Sequence, residues 1–219
     1  MLRAIPCSRL LCLVFLASFY VSALSGPTAS AADPYLDVVI SELMYNPPGT
    51  VSVGDEDVEN EYVELTNRGL QTVDLGGWKI GDGIRYTFLG GTMIAPGARL
   101  VIAKVPTSAQ TQYGITGVLG PYDGQLDNDG ERIELRNADD GLVCEVEYND
   151  EAPWPTGGDD DGRSIELTDL SKNGNVGRFW MPSSRIQGSP GTANSPGNPP
   201  MTVVINEFMA NPAGSGDWI

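Results

Sequence analysis

The sequence predicts an all-β protein built as an antiparallel sandwich, and three observations carry that expectation. Eight short runs rich in β-branched, aromatic and alternating apolar residues recur between residues 37 and 168. Each run is bounded by Gly, Pro, Asn or Asp, the residues that make turns. Beyond residue 32, no stretch sustains a 3.6-residue apolar period long enough for a helix.

The runs span residues 37–44, 61–66, 78–80, 85–88, 99–103, 132–136, 143–148 and 164–168. Seven or eight short strands with turns between them suit two packed antiparallel layers. Alternation then assigns sides. Val63 and Leu65, Ile133 and Leu135, and Ile165 and Leu167 point toward the core. Glu64, Glu134 and Glu166, which lie between them, are expected to face water. Trp78, opening a strand, is a large core filler.

Residues 1–32 stand apart from this pattern. Arg3 and Arg9 precede an uncharged apolar run, and the small residues Ala29, Ser30, Ala31 and Ala32 follow it. That order is the layout of a secretory signal peptide cut after Ala31 or Ala32. The apolar run is shorter than the roughly 20 residues a spanning helix needs, so no membrane insertion is expected after cleavage. The chain is therefore expected to be secreted or held at the cell surface.

Removing this leader takes away two of 13 basic residues and none of 29 acidic ones, leaving a formal charge of −18. Such a surface repels phosphate backbones and anionic lipid, which argues against nucleic acid as a partner. Cys7 and Cys12 leave with the leader, so Cys144 has no internal partner for a disulfide. Within the alternating stretch 142–148 it reads as buried strand filler rather than a reactive thiol.

Residues 188–200 (GSPGTANSPGNPP) lack strand character and read as a Pro/Gly/Ser linker after a domain spanning 35–187. A repeat follows. Residues 203–214 align without gaps on 38–49, with eight of twelve positions identical. The chain stops inside this repeat, so 201–219 is expected to open a truncated second copy, with further domains downstream.

The blocks VVISELMYNPP (38–48), EYVELTN (61–67) and VDLGGWKI (73–80) follow one another in the order of lamin tail domains. TMIAPGARLVIA (92–103), DNDGERIELRN (127–137), VEYNDEAPWP (146–155) and GSPGTANS (188–195) continue the series. Over residues 37–195 the chain resembles that family, in its bacterial secreted type. The resemblance implies an immunoglobulin-like sandwich that acts as an accessory module in surface or exported proteins. It brings no shared catalytic site.

Three acidic clusters raise the possibility of calcium: Asp55-Glu56-Asp57 with Glu59 and Glu61, Asp127-Asn128-Asp129-Gly130, and Asp159-Asp160-Asp161-Gly162. Calcium wants six to eight hard oxygens, and Asp127 and Asp129 are the best candidates. Neither glycine-containing cluster completes an EF-hand loop. Gln125 and Gly157 occupy its first ligand position, and Arg136 and Thr168 its last. Plain turns compete with this reading. Trp154 and Trp180 are the candidate ligand-facing aromatics, since flat rings suit stacking on sugars.

The chain contains no histidine. That count removes the commonest general base, the usual zinc ligand and the imidazole triads. No nucleophile elbow, phosphate loop or dinucleotide fingerprint occurs. The chain reads as a non-enzymatic spacer or interaction module whose partner is an extracellular protein or glycan. A carbohydrate- or polymer-binding module, assisted by calcium, is the alternative.

Overall fold

The computed structural model describes residues 37–49, 57–155 and 162–197. The expected leader and the start of the second repeat lie outside the described residues. Within them the chain folds as an antiparallel β-sandwich of immunoglobulin-like character. One sheet (sheet A) contains β1 (Val38–Met44), β2 (Tyr62–Asn67), β7 (Arg99–Ala103), β11 (Ile165–Leu167) and β12 (Trp180–Pro182), in the order β12-β11-β1-β2-β7. The facing sheet (sheet B) contains β4 (Lys79–Asp82), β5 (Ile84–Thr87), β8 (Asp123–Gly124), β9 (Gly130–Arg136) and β10 (Leu142–Asn149), in the order β10-β9-β4-β5-β8. A two-stranded ribbon of β3 (Val73–Asp74) and β6 (Met93–Ile94) completes the set.

All eight runs read from the sequence are strands. The four strands it did not reveal are only two or three residues long, too short for alternation to register.

The core fills the space between the sheets. Ile40, Leu43, Val63, Leu65, Ile165 and Leu167 come from one side, and Ile80, Ile84, Ile133, Leu135 and Val146 from the other. Tyr45 and Tyr148 stack across the interior at 5.0 Å between ring centroids. Trp78 is buried as expected.

Two features depart from the sequence expectation. An α-helix, α1 (Pro106–Tyr113), follows β7. Proline sits in its first turn, Gly114 closes it in the left-handed conformation, and Ala109 is its one buried residue. A helix with so little apolar face leaves no periodic signal in the sequence. It is held from outside, with the Tyr113 hydroxyl donating to the Asn60 carbonyl at 2.6 Å. Among the described residues, no helix is long and apolar enough to cross a membrane.

The second departure concerns the glutamates. Glu64 and Glu166 are 0% exposed and Glu134 is 6% exposed, where water was expected. Every residue of β1 and of β2 is buried. Alternation assumes one wet face, but sheet A is covered on both. Beneath α1, its outer face carries a second small core of Met44, Tyr62, Val101, Ala103 and Ala109. The rest of that face lies under residues 188–195. Ser189 there is buried, and Ser183 bridges to Pro196. The described part of the expected linker, 188–197, is therefore packed on the sandwich as its closing segment, and the expected boundary at 187 cuts through the fold.

Candidate functional site

The outer face of sheet A is assembled by strand register. Glu42 of β1 lies opposite Glu64 of β2 on one side and Glu166 of β11 on the other, so three carboxylates stand in a row. A bulge in β1 between Ile40 and Glu42 lets Ile40 and Leu43 both reach the inner core. An unbroken period of two could not place both there, because their separation is odd.

Across this row lies the uncharged strap, residues 188–195. Glu42 Oε1 accepts hydrogen bonds from the Tyr62 hydroxyl (2.6 Å), the Ser164 hydroxyl (2.5 Å) and the Ser189 N–H (2.8 Å). Glu64 accepts from the Ser41 hydroxyl (2.8 Å), from Arg99 (2.6 Å) and from the Gly191 N–H (2.7 Å). The Ser189 hydroxyl donates to Glu166 Oε1 at 2.8 Å. Asn194 then ties the end of the strap down. Its amide donates to the carbonyls of Ser41 (2.8 Å) and Leu167 (3.0 Å), while its oxygen accepts from Arg99 (2.8 Å).

Close approach dictates the residue at the start of the strap. Gly188 has φ +77°, and a Cβ there would lie 2.3 Å from Glu42 Oε1 and 2.4 Å from the Tyr62 hydroxyl. Only glycine accepts both the conformation and the contact.

Burial sets the electrostatics of this face. Desolvation, and after it the charge of Glu64, pushes the Glu42 carboxyl up to about 7. Burial also raises Glu64, although the Arg99 guanidinium pulls it down. The Tyr62 hydroxyl is held well above its ordinary range, first by desolvation and then by the charge of Glu42. Chemically, this arrangement can hold a strap and store a proton. Its three carboxylates are withdrawn from solvent beneath the strap.

The residues singled out from the sequence lie elsewhere. Asp127 and Asp129 share an exposed turn in which the Asp129 N–H donates to Asp127 Oδ1 at 3.0 Å. This is the turn geometry that competed with calcium. Asp57 caps a 3-10 turn, and Glu61 is buried, accepting from the Tyr122 hydroxyl (2.8 Å) and the Leu126 N–H (3.0 Å). Asp55, Glu56 and 159–161 lie outside the described residues. Among the described residues, no group of three or more His, Cys, Asp or Glu side chains is arranged to hold a metal ion.

Trp154 and Trp180 are both buried, at 8% and 2% exposure. Their rings pack together at 6.0 Å, and Trp180 Nε1 donates to the Gly174 carbonyl at 2.7 Å. Neither offers a face for a sugar. This corrects the reading of both as ligand-facing: Trp154 turns inward despite its flanking prolines, and the Gly174 carbonyl holds the Trp180 indole. Cys144 is half-buried, and desolvation raises its thiol to about 11, which makes it an inert filler at neutral pH.

Sequence reasoning missed Glu42, Glu64, Glu166 and Ser189 as a group. Glu-Leu occurs at Glu42-Leu43, Glu64-Leu65 and Glu166-Leu167, but also at Glu134-Leu135 in β9, so the pair marks strands and not this group.

Two open grooves of about 830 and 480 Å³ meet at Arg68 and Ser171. Leu70 is 88% exposed in the first. The Arg68 guanidinium donates to the Leu170 carbonyl between them.

A family model described as Lamin Tail Domain matches residues 31–150, the stretch that contains β1 through β10. No curated protein matches the chain.

Proposed function

The chain belongs to the lamin tail domain family, and from that premise we propose that it is a non-catalytic spacer and interaction module of a larger protein exported to the cell surface or beyond. The observation that carries this reading is where the chemistry-bearing side chains go. Glu42, Glu64 and Glu166 are sealed under the strap, and Trp154 and Trp180 are packed inside. The side chains that could have formed a catalytic or stacking site instead hold the fold together. The absence of histidine supports the same reading.

Secretion rests on the signal-like leader in residues 1–32, and modular construction on the repeat at 203–214. In such a protein the sandwich sets distance, and repeated modules can add weak contacts into avidity.

A glycan and polysaccharide array, run with calcium and again with a chelator, tests this reading. No retention in either condition is the expected result. Chelator-sensitive retention on a defined glycan would replace the spacer with the carbohydrate-binding alternative. Sequencing the amino terminus of the exported product tests the leader separately, and a new terminus at Ala32 or Asp33 is expected.

A further inference from the structure

The strap carries no charged residue, yet it seals three carboxylates against a single guanidinium, that of Arg99. Were all four ionised, the face would hold two uncompensated negative charges away from water. That arrangement is strongly unfavourable, the more so for like charges on adjacent strands.

Glu64 is answered by Arg99 at 2.6 Å. Among the described residues, neither Glu42 nor Glu166 has a cation within ion-pair distance. Between these two stands one hydroxyl, that of Ser189. Its Oγ lies 2.8 Å from Glu166 Oε1 and 3.5 Å from Glu42 Oε2. A hydroxyl has one hydrogen to give, so it cannot answer two carboxylates at once. Independently, Glu166 Oε2 is fully buried and finds no hydrogen-bond partner among the described residues. Glu42 Oε1 has three donors of its own, but the line from Glu42 Oε2 through Ser189 Oγ to Glu166 is one hydrogen short.

Around Glu42 the other donors all go to Oε1, so among the described residues Oε2 meets only the Ser189 hydroxyl. β2 presents the Tyr62 hydroxyl and Glu64, and β11 presents Ser164 and Glu166. From α1, Tyr113 packs edge-on against Tyr62, and Arg99 of β7 is spent on Glu64, Thr66 and Asn194. The strap contributes only the Ser189 N–H and hydroxyl.

We propose that residues 188–195 are a proton-dependent latch. A proton on Glu42 is shared toward Ser189 Oγ, while that hydroxyl donates to Glu166, and this chain of bonds keeps the strap docked. When the proton leaves to solvent, Glu42 adds a second buried negative charge beside Glu64, whose cation is Arg99, and the strap lifts to admit water. Burial already raises Glu42 toward neutrality, which puts the transition near physiological pH. Lifting frees residues 188–197, which adds up to roughly 33 Å of reach to the chain after residue 197. Acid therefore shortens this tether and alkali lengthens it. The latch stands on the strap geometry alone. Its use as a change in spacing rests on the spacer reading, and a positive glycan array would remove that use without moving the latch.

Amide hydrogen exchange on the full chain tests the latch, with rates corrected for the intrinsic effect of pH. Between about pH 5.5 and about pH 8, protection of the Ser189 and Gly191 amides should fall on the order of ten-fold, while Leu65 in β2 keeps its protection. Equal protection of the strap at both values would overturn the proposal. Glu42→Gln, which cannot lose the proton, should keep the strap protected at both. A wild-type pH response in that variant would equally overturn it. Should the variant fail to fold, a carbon NMR titration of the Glu42 carboxyl in the wild-type chain decides. A midpoint near 7 supports the latch, and a midpoint in the ordinary carboxylate range, about 4–5, refutes it.

Discussion

The two outer faces of the sandwich solve one problem in opposite ways. Both carry glutamates in the middle of strands. On sheet A, Glu42, Glu64 and Glu166 are sealed under a strap with Arg99 as their nearby cation. On sheet B, Glu134 is also buried, but it lies between two arginines that reach solvent. Arg136 approaches it at 2.6 Å, and Arg132 contacts it while also reaching Glu145 at 2.9 Å and Asp82 at 3.5 Å. Those arginines are one-third or more exposed, so water shares in solvating the group.

The difference teaches where polar residues fix a structure and where they only decorate it. A wet ion-pair network tolerates loss, because solvent replaces the missing partner. A sealed set does not, because each removed partner leaves a group with nowhere to turn.

The largest expected effect sharpens this contrast directly. Arg99→Ala strips the guanidinium from Glu64 and also removes bonds to Thr66 and Asn194. Urea unfolding should show a loss of about 3–5 kcal/mol, the range for breaking a buried pair. Next comes Gly188→Ala, which forces a Cβ to 2.3 Å from Glu42 Oε1 at a positive φ. It should cost about 2 kcal/mol or more by the same measurement, since both sterics and backbone conformation oppose it.

The pH dependence should be smaller per pH unit, and its sign is fixed. The folded Glu42 carboxyl is raised from 4.5 to about 7. Its contribution is therefore fully present below 4.5 and is lost as pH rises through 7. Thermal or urea stability should fall across that window by on the order of 1 kcal/mol per pH unit at most. Stability that rises over the same window would break the comparison. Smallest of all is Arg136→Ala on the outer face of sheet B, which should cost about 1 kcal/mol because Arg132 still answers Glu134, and less in high salt.

Much of this fold was legible in the sequence, because period-two alternation and turn residues are local signals. Eight of the strands, Trp78 in the core and the antiparallel pairing all follow from them. What was not legible depended on what lies above a strand. Glu64 and Glu166 read as solvent-facing because alternation reports that a side exists and not what covers it. Their cover, residues 188–195, is built of Gly, Ser, Pro, Thr, Ala and Asn, the composition of a linker. It acts through backbone N–H groups and small hydroxyls, which leave no apolar pattern. α1 was missed for a related reason, since it buries one alanine. Trp180 turned inward because Gly174 offers its carbonyl to the indole N–H, a contact that residue type alone does not announce.

The strap folds as part of the domain. Two truncated chains test this, one ending at residue 197 and one at residue 187, compared by urea unfolding at about pH 5.5, where the strap is docked. The longer chain should unfold in a single cooperative transition. The shorter should be several kcal/mol less stable or fail to fold, because it bares three carboxylates and the partners of Asn194 and Ser189. Equal stability of the two would contradict the claim and return residues 188–197 to the role of a linker.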